Sequence, residues 1–267
     1  MPAPDHASGG TLVGAIVDRP AASASNAGVV YISRDQRKKY RSNGSAWEVV
    51  IDQAPPHRRI YGSQKTPGTG ATLTDYGGSP VHTLSGTASN LSDTTGHYVQ
   101  LSATAAKAGV DIAATECVKT QLNPIVTFAI KTGAVLPLAT ERLWIGIASD
   151  SLSGTDSPTG KHVLCFRYAP TADTTAFWRC VSNGGSASAG TVSITAVPIA
   201  VSTRYILTID ATNPASVDFY INGIMVATHA ANLPTTTKAM GTECITDDVS
   251  GGSTKEICIS TITYETN

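Results

Sequence analysis

The sequence is short of charge. Only 15% of its 267 residues are Asp, Glu, Lys or Arg, 19 basic against 20 acidic, which leaves a formal net charge of −1. So balanced a chain sets up no field for nucleic acid or an anionic membrane, and neither is expected as a partner. Long apolar runs are missing too, since none approaches the roughly 18–20 residues of a membrane-crossing helix. The five cysteines, Cys117, Cys165, Cys180, Cys244 and Cys258, are far apart. With no Cys-x-x-Cys pair and no His at zinc-finger spacing, a zinc site is not expected, nor is any cofactor. The first residues, "MPAPDHASGG", show no basic region followed by an apolar stretch. A secretory leader is therefore not expected, and synthesis in a cytoplasm is.

What the chain does have is hydrophobic residues (41%) set among Ser, Thr, Asn and Gly. That mixture suits a β protein with hydroxyl-rich outer faces. From residue 97 onward, strand-like runs recur with short polar breaks, among them Ile125–Thr132, Arg142–Ala148, His162–Tyr168, Tyr205–Asp210 and Glu256–Tyr264. No segment keeps a helical period across three turns, so the fold class predicted is all-β, an antiparallel β-sandwich. The clearest signal is "SVDFYINGIMVATHAANLP", residues 216–234. Val217, Phe219 and Ile221 alternate with Asp218 and Tyr220, and Asn222-Gly223 then supplies a two-residue type I′ hairpin turn. Cys165, Cys180, Cys244 and Cys258 fall inside such runs and read as small buried apolar residues; a disulfide between neighbouring strands stays open.

The organisation read from these textures has three parts. Residues 1–52 are a polar arm followed by a small β unit, with apolar runs Leu12–Val17, Val29–Ser33 and Trp47–Ile51. At roughly 40 residues that unit is below the size that usually folds alone. Copies packing Val29, Tyr31 and Trp47 around an axis would cover its apolar face, so a homotrimer is expected. Residues 53–96, rich in Gly, Pro, Ser and Thr, read as a linker or an extended arm. Residues 97–267 are the sandwich.

Two resemblances extend this reading. "VDFYINGIMVATHAANLP" resembles the late hairpin of the concanavalin-A-like, laminin-G type of jelly roll, and "RYILTIDAT" resembles the strand before it. That resemblance implies two curved antiparallel sheets and a face that often binds carbohydrate. "RPAASASNAGVVYISRDQRKKYRSNGSAWEVV" is similar to a short module of tailed-phage fibre, spike and head-decoration proteins, matching at Arg19, Pro20, Ala21, Gly28, Tyr31, Asp35, Tyr40, Gly44 and Trp47. It implies anchoring or oligomerisation through Arg19, Pro20, Tyr31, Tyr40 and Trp47. It also implies a place on a virion surface, as head fibre, capsid decoration or tail fibre, with other virion proteins as partners and host surface glycan as a ligand.

Chemistry is sparse. Jelly-roll hydrolases usually carry Glu-x-Asp-x-Glu on one strand, which sets acid and nucleophile on one face. No such triplet occurs, so a non-enzymatic structural protein is expected; the alternative is a polysaccharide-active enzyme or a carbohydrate-binding module. Asp150, Asp156, Asp247 and Asp248 lie in Ser- and Gly-rich segments and are weak calcium candidates, against solvated turns. Tyr220, Asn222 and His229 around the hairpin are candidate glycan contacts. Trp144 and Trp178 read as core residues, with sugar stacking as the alternative. The basic run "RDQRKKYR", 34–41, reads as a solvated hairpin turn rather than a nucleic-acid patch.

Overall fold

The computed structural model describes residues 11–14, 19–27, 29–33, 38–52, 57–64, 72–75, 84–85, 87–94, 96–104, 107–110, 118–134, 140–169, 171–248 and 254–266. The chain divides into two compact units, Met1–His57 and Arg58–Asn267.

In the first unit β1 (Thr11–Gly14), β2 (Val30–Ser33), β3 (Lys38–Ser42) and β4 (Trp47–Asp52) form one sheet in that order, with β1 parallel to β2 and the others antiparallel. An aromatic clasp closes it. The Arg19 guanidinium lies 4.3 Å from the Tyr40 ring centroid and 5.7 Å from that of Trp47, while Trp47 Nε1–H donates to the Pro20 carbonyl at 2.7 Å. Tyr31 meets Trp47 edge-on at 6.0 Å. A guanidinium over an aromatic face is attracted by the ring quadrupole, so residues up to 28 positions apart hold one another. Val29 and Tyr31 are only 1% and 3% exposed in a single copy. The apolar surface expected to draw three copies together is thus already covered at these two residues. Most of the arm (1–10) and Gly28, Arg34, Asp35, Gln36 and Arg37 lie outside the described residues.

The second unit is a two-sheet sandwich. Its strands are β5 (His57–Gln64), β6 (Thr72–Asp75), β7 (Leu84–Ser85), β8 (Thr87–Asp93), β9 (Gly96–Thr104), β10 (Ala108–Val110), β11 (Ile125–Thr132), β12 (Glu141–Ala148), β13 (His162–Tyr168) and β14 (Phe177–Gly184). They continue through β15 (Thr191–Pro198), β16 (Arg204–Asp210), β17 (Val217–Ile221), β18 (Ile224–His229), β19 (Gly241–Asp248) and β20 (Thr254–Thr266). One sheet runs β15-β14-β13-β12-β19-β10-β7; the other runs β18-β17-β16-β11-β20-β5-β6, with β9 on β20 and β8 on β9. No α-helix occurs among the described residues. The fold class is the antiparallel β-sandwich expected from the alternation.

The segment read as a linker differs. Residues 53–96 hold β5, β6, β7 and β8, which extend both sheets of the sandwich. Their Gly-, Ser- and Thr-rich composition hid them, because peripheral strands need backbone pairing more than apolar side chains.

The core follows from strand alternation. Tyr205, Leu207 and Ile209 of β16 and Val217, Phe219 and Ile221 of β17 point inward, where Phe166 of the facing sheet meets Phe219 edge-on at 5.5 Å. Trp178 meets Tyr205 in the same manner at 5.3 Å. The hairpin turn is as read: Asn222 and Gly223 both have positive φ, 52° and 79°, as a type I′ turn requires. Cys165, Cys180, Cys244 and Cys258 are free and buried, whereas Cys117 lies outside the described residues.

Candidate functional site

Strands β12 and β13 are buried on both faces, which an antiparallel sheet with one wet side would not show. The cause is the β12–β13 connection, residues 149–161, which straps the outer face of the seven-stranded sheet. Leu152 packs there with Trp144, Val163, Cys165, Val181 and Ile245 in a second, smaller apolar cluster. Polar bonds hold the strap down. Leu152 N–H donates to Glu243 Oε1 at 2.7 Å, Gly154 N–H to Asp247 Oδ2 at 2.5 Å and Trp144 Nε1–H to the Thr155 carbonyl at 3.0 Å. Arg142 joins the strap to the sheet, with Nε on Asp156 Oδ1 at 2.5 Å and Nη1 on Asp247 Oδ1 at 2.9 Å. Gly146 under this face is obligatory, since a Cβ there would sit 2.6 Å from Cys165 Cα.

Beside the strap, one row of side chains crosses five strands. Ile245 pairs with Trp144, Trp144 with Arg167, Arg167 with Arg179, and Arg179 with Ile194. The Arg167 guanidinium lies 5.6 Å from the Trp144 ring centroid. Both arginines are buried, 5% and 3% exposed, and share Asp173 from the β13–β14 connection. Arg167 Nε and Nη2 grip its two carboxylate oxygens at 3.3 and 2.6 Å, and Arg179 Nε lies 3.3 Å from Oδ1. Asp173 also accepts the Ala169 N–H at 2.8 Å. A bidentate fork of this kind fixes direction as well as charge.

The row ends in an open groove lined by Asp156, Ser157, Arg167, Asp173, Thr174 and Arg179, with Ala172 and Ala189 beside them and Val192 and Ile194 on its outer rim. Ile194 is 67% exposed, on an edge strand of the sheet. Polar groups locked from below and an apolar rim above make a surface that can both hydrogen-bond a ligand and pack against its C–H faces. Neither arginine was singled out in the sequence. The available signal was an Arg inside otherwise apolar strands, "HVLCFRY" and "FWRC", where an unpaired charge would be costly.

The residues predicted from sequence scatter. His229 is the last residue of β18. It is 2% exposed, its ring nitrogens bond Ser182 Oγ and Ser193 Oγ at 2.9 Å each, and it tilts against Phe219 at 5.0 Å. It joins the two sheets at their edges and cannot reach a sugar, and desolvation lowers its pKa. Asn222 is bound to β16, its N–H on the Ile206 carbonyl at 2.7 Å and its Oδ1 accepting Ile206 N–H at 2.9 Å. Tyr220 is half-buried on the outer face of the other sheet, beside Thr208. Trp144 and Trp178 are fully buried, so neither is a stacking platform.

Of the four weak calcium candidates, two are held by one arginine. Asp156 and Asp247 converge on Arg142, which supplies the positive charge a cation would have brought. Burial still pushes the Asp247 carboxyl above its usual range, against the Gly154 N–H and Arg142. Asp150 is exposed and accepts from Ser149 Oγ at 2.7 Å, and the side chain of Asp248 lies outside the described residues.

No family model matches the chain, and no curated protein does. Solved structures do. A sialidase of Trypanosoma rangeli, in complex with sialic acid, superposes with a TM-score of 0.50 at 11% identity, covering 84% of this chain and 32% of the sialidase. The likeness is one of fold. A structure from work on endo-acting O-glycanases of the human gut microbiota follows at 0.46 and 12%, covering 63% of this chain and 79% of its own. A galectin of Caenorhabditis elegans follows at 0.36 and 14%, covering 58% and 94%. The chain spans about a third of the sialidase's length.

The expectation of a protein without enzymatic activity is overturned here, because the same architecture is found in an enzyme. A missing Glu-x-Asp-x-Glu triplet bears on one carboxylate arrangement, and glycosides are also cleaved by other nucleophiles.

Proposed function

We propose that this chain recognises glycan, as the binding module or a working domain of a carbohydrate-binding or polysaccharide-active protein. The observation that carries the reading is the groove beside the strap, where hydrogen-bonding groups are held rigid by Asp173 and bordered by exposed Val192 and Ile194. Its architecture is shared with about a third of a sialidase described in complex with sialic acid, which supports the reading at the level of fold. Ile194→Asp tests it. The side chain is exposed and bears little on stability. Binding to an oligosaccharide array should fall about tenfold, the equivalent of 1.4 kcal/mol, with unfolding unchanged. Unaltered binding would place recognition elsewhere. Incubation with bacterial surface polysaccharide, scored by released reducing ends, tests the enzymatic branch.

A narrower reading places the chain on the surface of a tailed-phage virion, held to capsid or tail proteins by residues 1–57 and presenting the sandwich to host glycans. It is favoured by the clasp, because five residues of the fibre-type motif, Arg19, Pro20, Tyr31, Tyr40 and Trp47, come together in one contact set. Co-purification of the chain with phage particles checks it, and light scattering of the intact chain checks the trimer that goes with it.

A further inference from the structure

Resting on the reading of the groove as a glycan site, we infer that it selects neutral sugars and discriminates against those bearing carboxylate, sulfate or phosphate. The ground is the state of its two arginines. A guanidinium recognises an anionic sugar by offering an uncommitted fork of N–H donors. Here each of the six guanidinium nitrogens already makes a contact from within, one fork of Arg167 is closed by Asp173, and both side chains are buried. Arg167 gives Nε and Nη2 to Asp173 and Nη1 to the Asp156 carbonyl at 2.8 Å. Arg179 sets Nε against Asp173, Nη1 on the Phe177 carbonyl at 3.3 Å and Nη2 on Thr175 Oγ1 at 2.9 Å.

Charge is balanced as well. Arg142, Arg167 and Arg179 face Asp156, Asp173 and Asp247, so the site offers no net field to an anion. Asp156, a residue of the groove lining, adds no uncompensated charge, because its carboxylate is paired with Arg142. What a ligand meets is Thr174, Ser157, the second N–H of each Nη atom and the apolar rim. Those groups suit the hydroxyls and C–H faces of an uncharged hexose chain.

The intact chain is titrated with neutral oligosaccharides and with sialylated, uronate and sulfated ones, at low and at physiological ionic strength. Neutral sugars should bind, with affinity indifferent to salt, and acidic ones at least tenfold more weakly. Thr174→Lys, at an exposed position on the groove, adds an uncommitted cation. It should raise affinity for acidic sugars about tenfold and make that binding salt-sensitive. Asp173→Asn, which releases Arg167, should shift preference the same way where the variant folds. A wild-type chain that prefers acidic sugars, with affinity falling as salt rises, overturns the inference while leaving glycan recognition standing. No binding of either class overturns the glycan reading itself.

Discussion

Asp173 is one carboxylate holding two buried guanidinium groups, and that arrangement is brittle. Asp173→Ala leaves two cations without their counter-charge in a desolvated place. Breaking such a pair costs about 3–5 kcal/mol, and a unit of this size loses about 2–4 °C of melting temperature per kcal/mol. A chemical-denaturation series should show that loss, and a variant within 1 kcal/mol of wild type would mean the arginines are solvated.

His229 makes a second prediction by pH. Its pKa in the folded chain lies below the ordinary 6.5, because burial disfavours the charged ring. The unfolded chain therefore takes the proton first, and stability present above about 6.5 is lost as pH falls below it. His162 is shifted the same way, by burial and then by Lys238. Asp247 acts in the opposite sense, its raised carboxyl being relieved on acidification. His229→Gln should flatten the slope of stability against pH between 6.5 and 5, and an unchanged slope would clear His229 of the effect.

The strap shows what one connection does to the sheet beneath it. "SDSLSGTDSPTG" reads as solvated turn in sequence, because Ser, Gly and Asp carry no apolar period. Its single Leu152 fills the cluster over Trp144, and its backbone finds acceptors and donors on β12, β13 and β19. Leu152→Ala should cost about 2–5 kcal/mol by the cavity it leaves. Faster amide exchange at Leu152 and Gly154 than in β11 would show the strap lifting first; uniform exchange would show that it does not open as a separate piece.

Strand periods and the Asn222-Gly223 turn were legible because side-chain alternation records which face is buried. The groove was not, since its parts (the strap, β13, the β13–β14 connection, β14 and β15) meet only once register sets Arg167 beside Arg179 and Arg179 beside Ile194. His229 misled for a related reason: sequence places it just past a hairpin and says nothing of the second sheet that covers it.

At the scale of the molecule the two units should separate cleanly. Residues 58–267 hold both sheets apart from one residue of β5, and should express as a folded piece without the first 57. A cut at residue 97 removes β5, β6, β7 and β8 and bares the edges of β20, β10 and β9 to which they pair. Unpaired edges invite strand addition from other chains, so that fragment should aggregate where the longer one does not. Size-exclusion chromatography of the two decides, and equal behaviour would mean the four strands contribute nothing to the sandwich.

The four buried thiols give the protein an internal clock. Burial pushes Cys165, Cys180 and Cys244 well above the ordinary thiol range and Cys258 up to about 12, so none is a thiolate at neutral pH while the sandwich is closed. A thiol-reactive dye added to the native chain would therefore modify each only as often as its strand exposes it. The labelling rates, resolved by peptide mass, would rank β13, β14, β19 and β20 by how rarely each breathes.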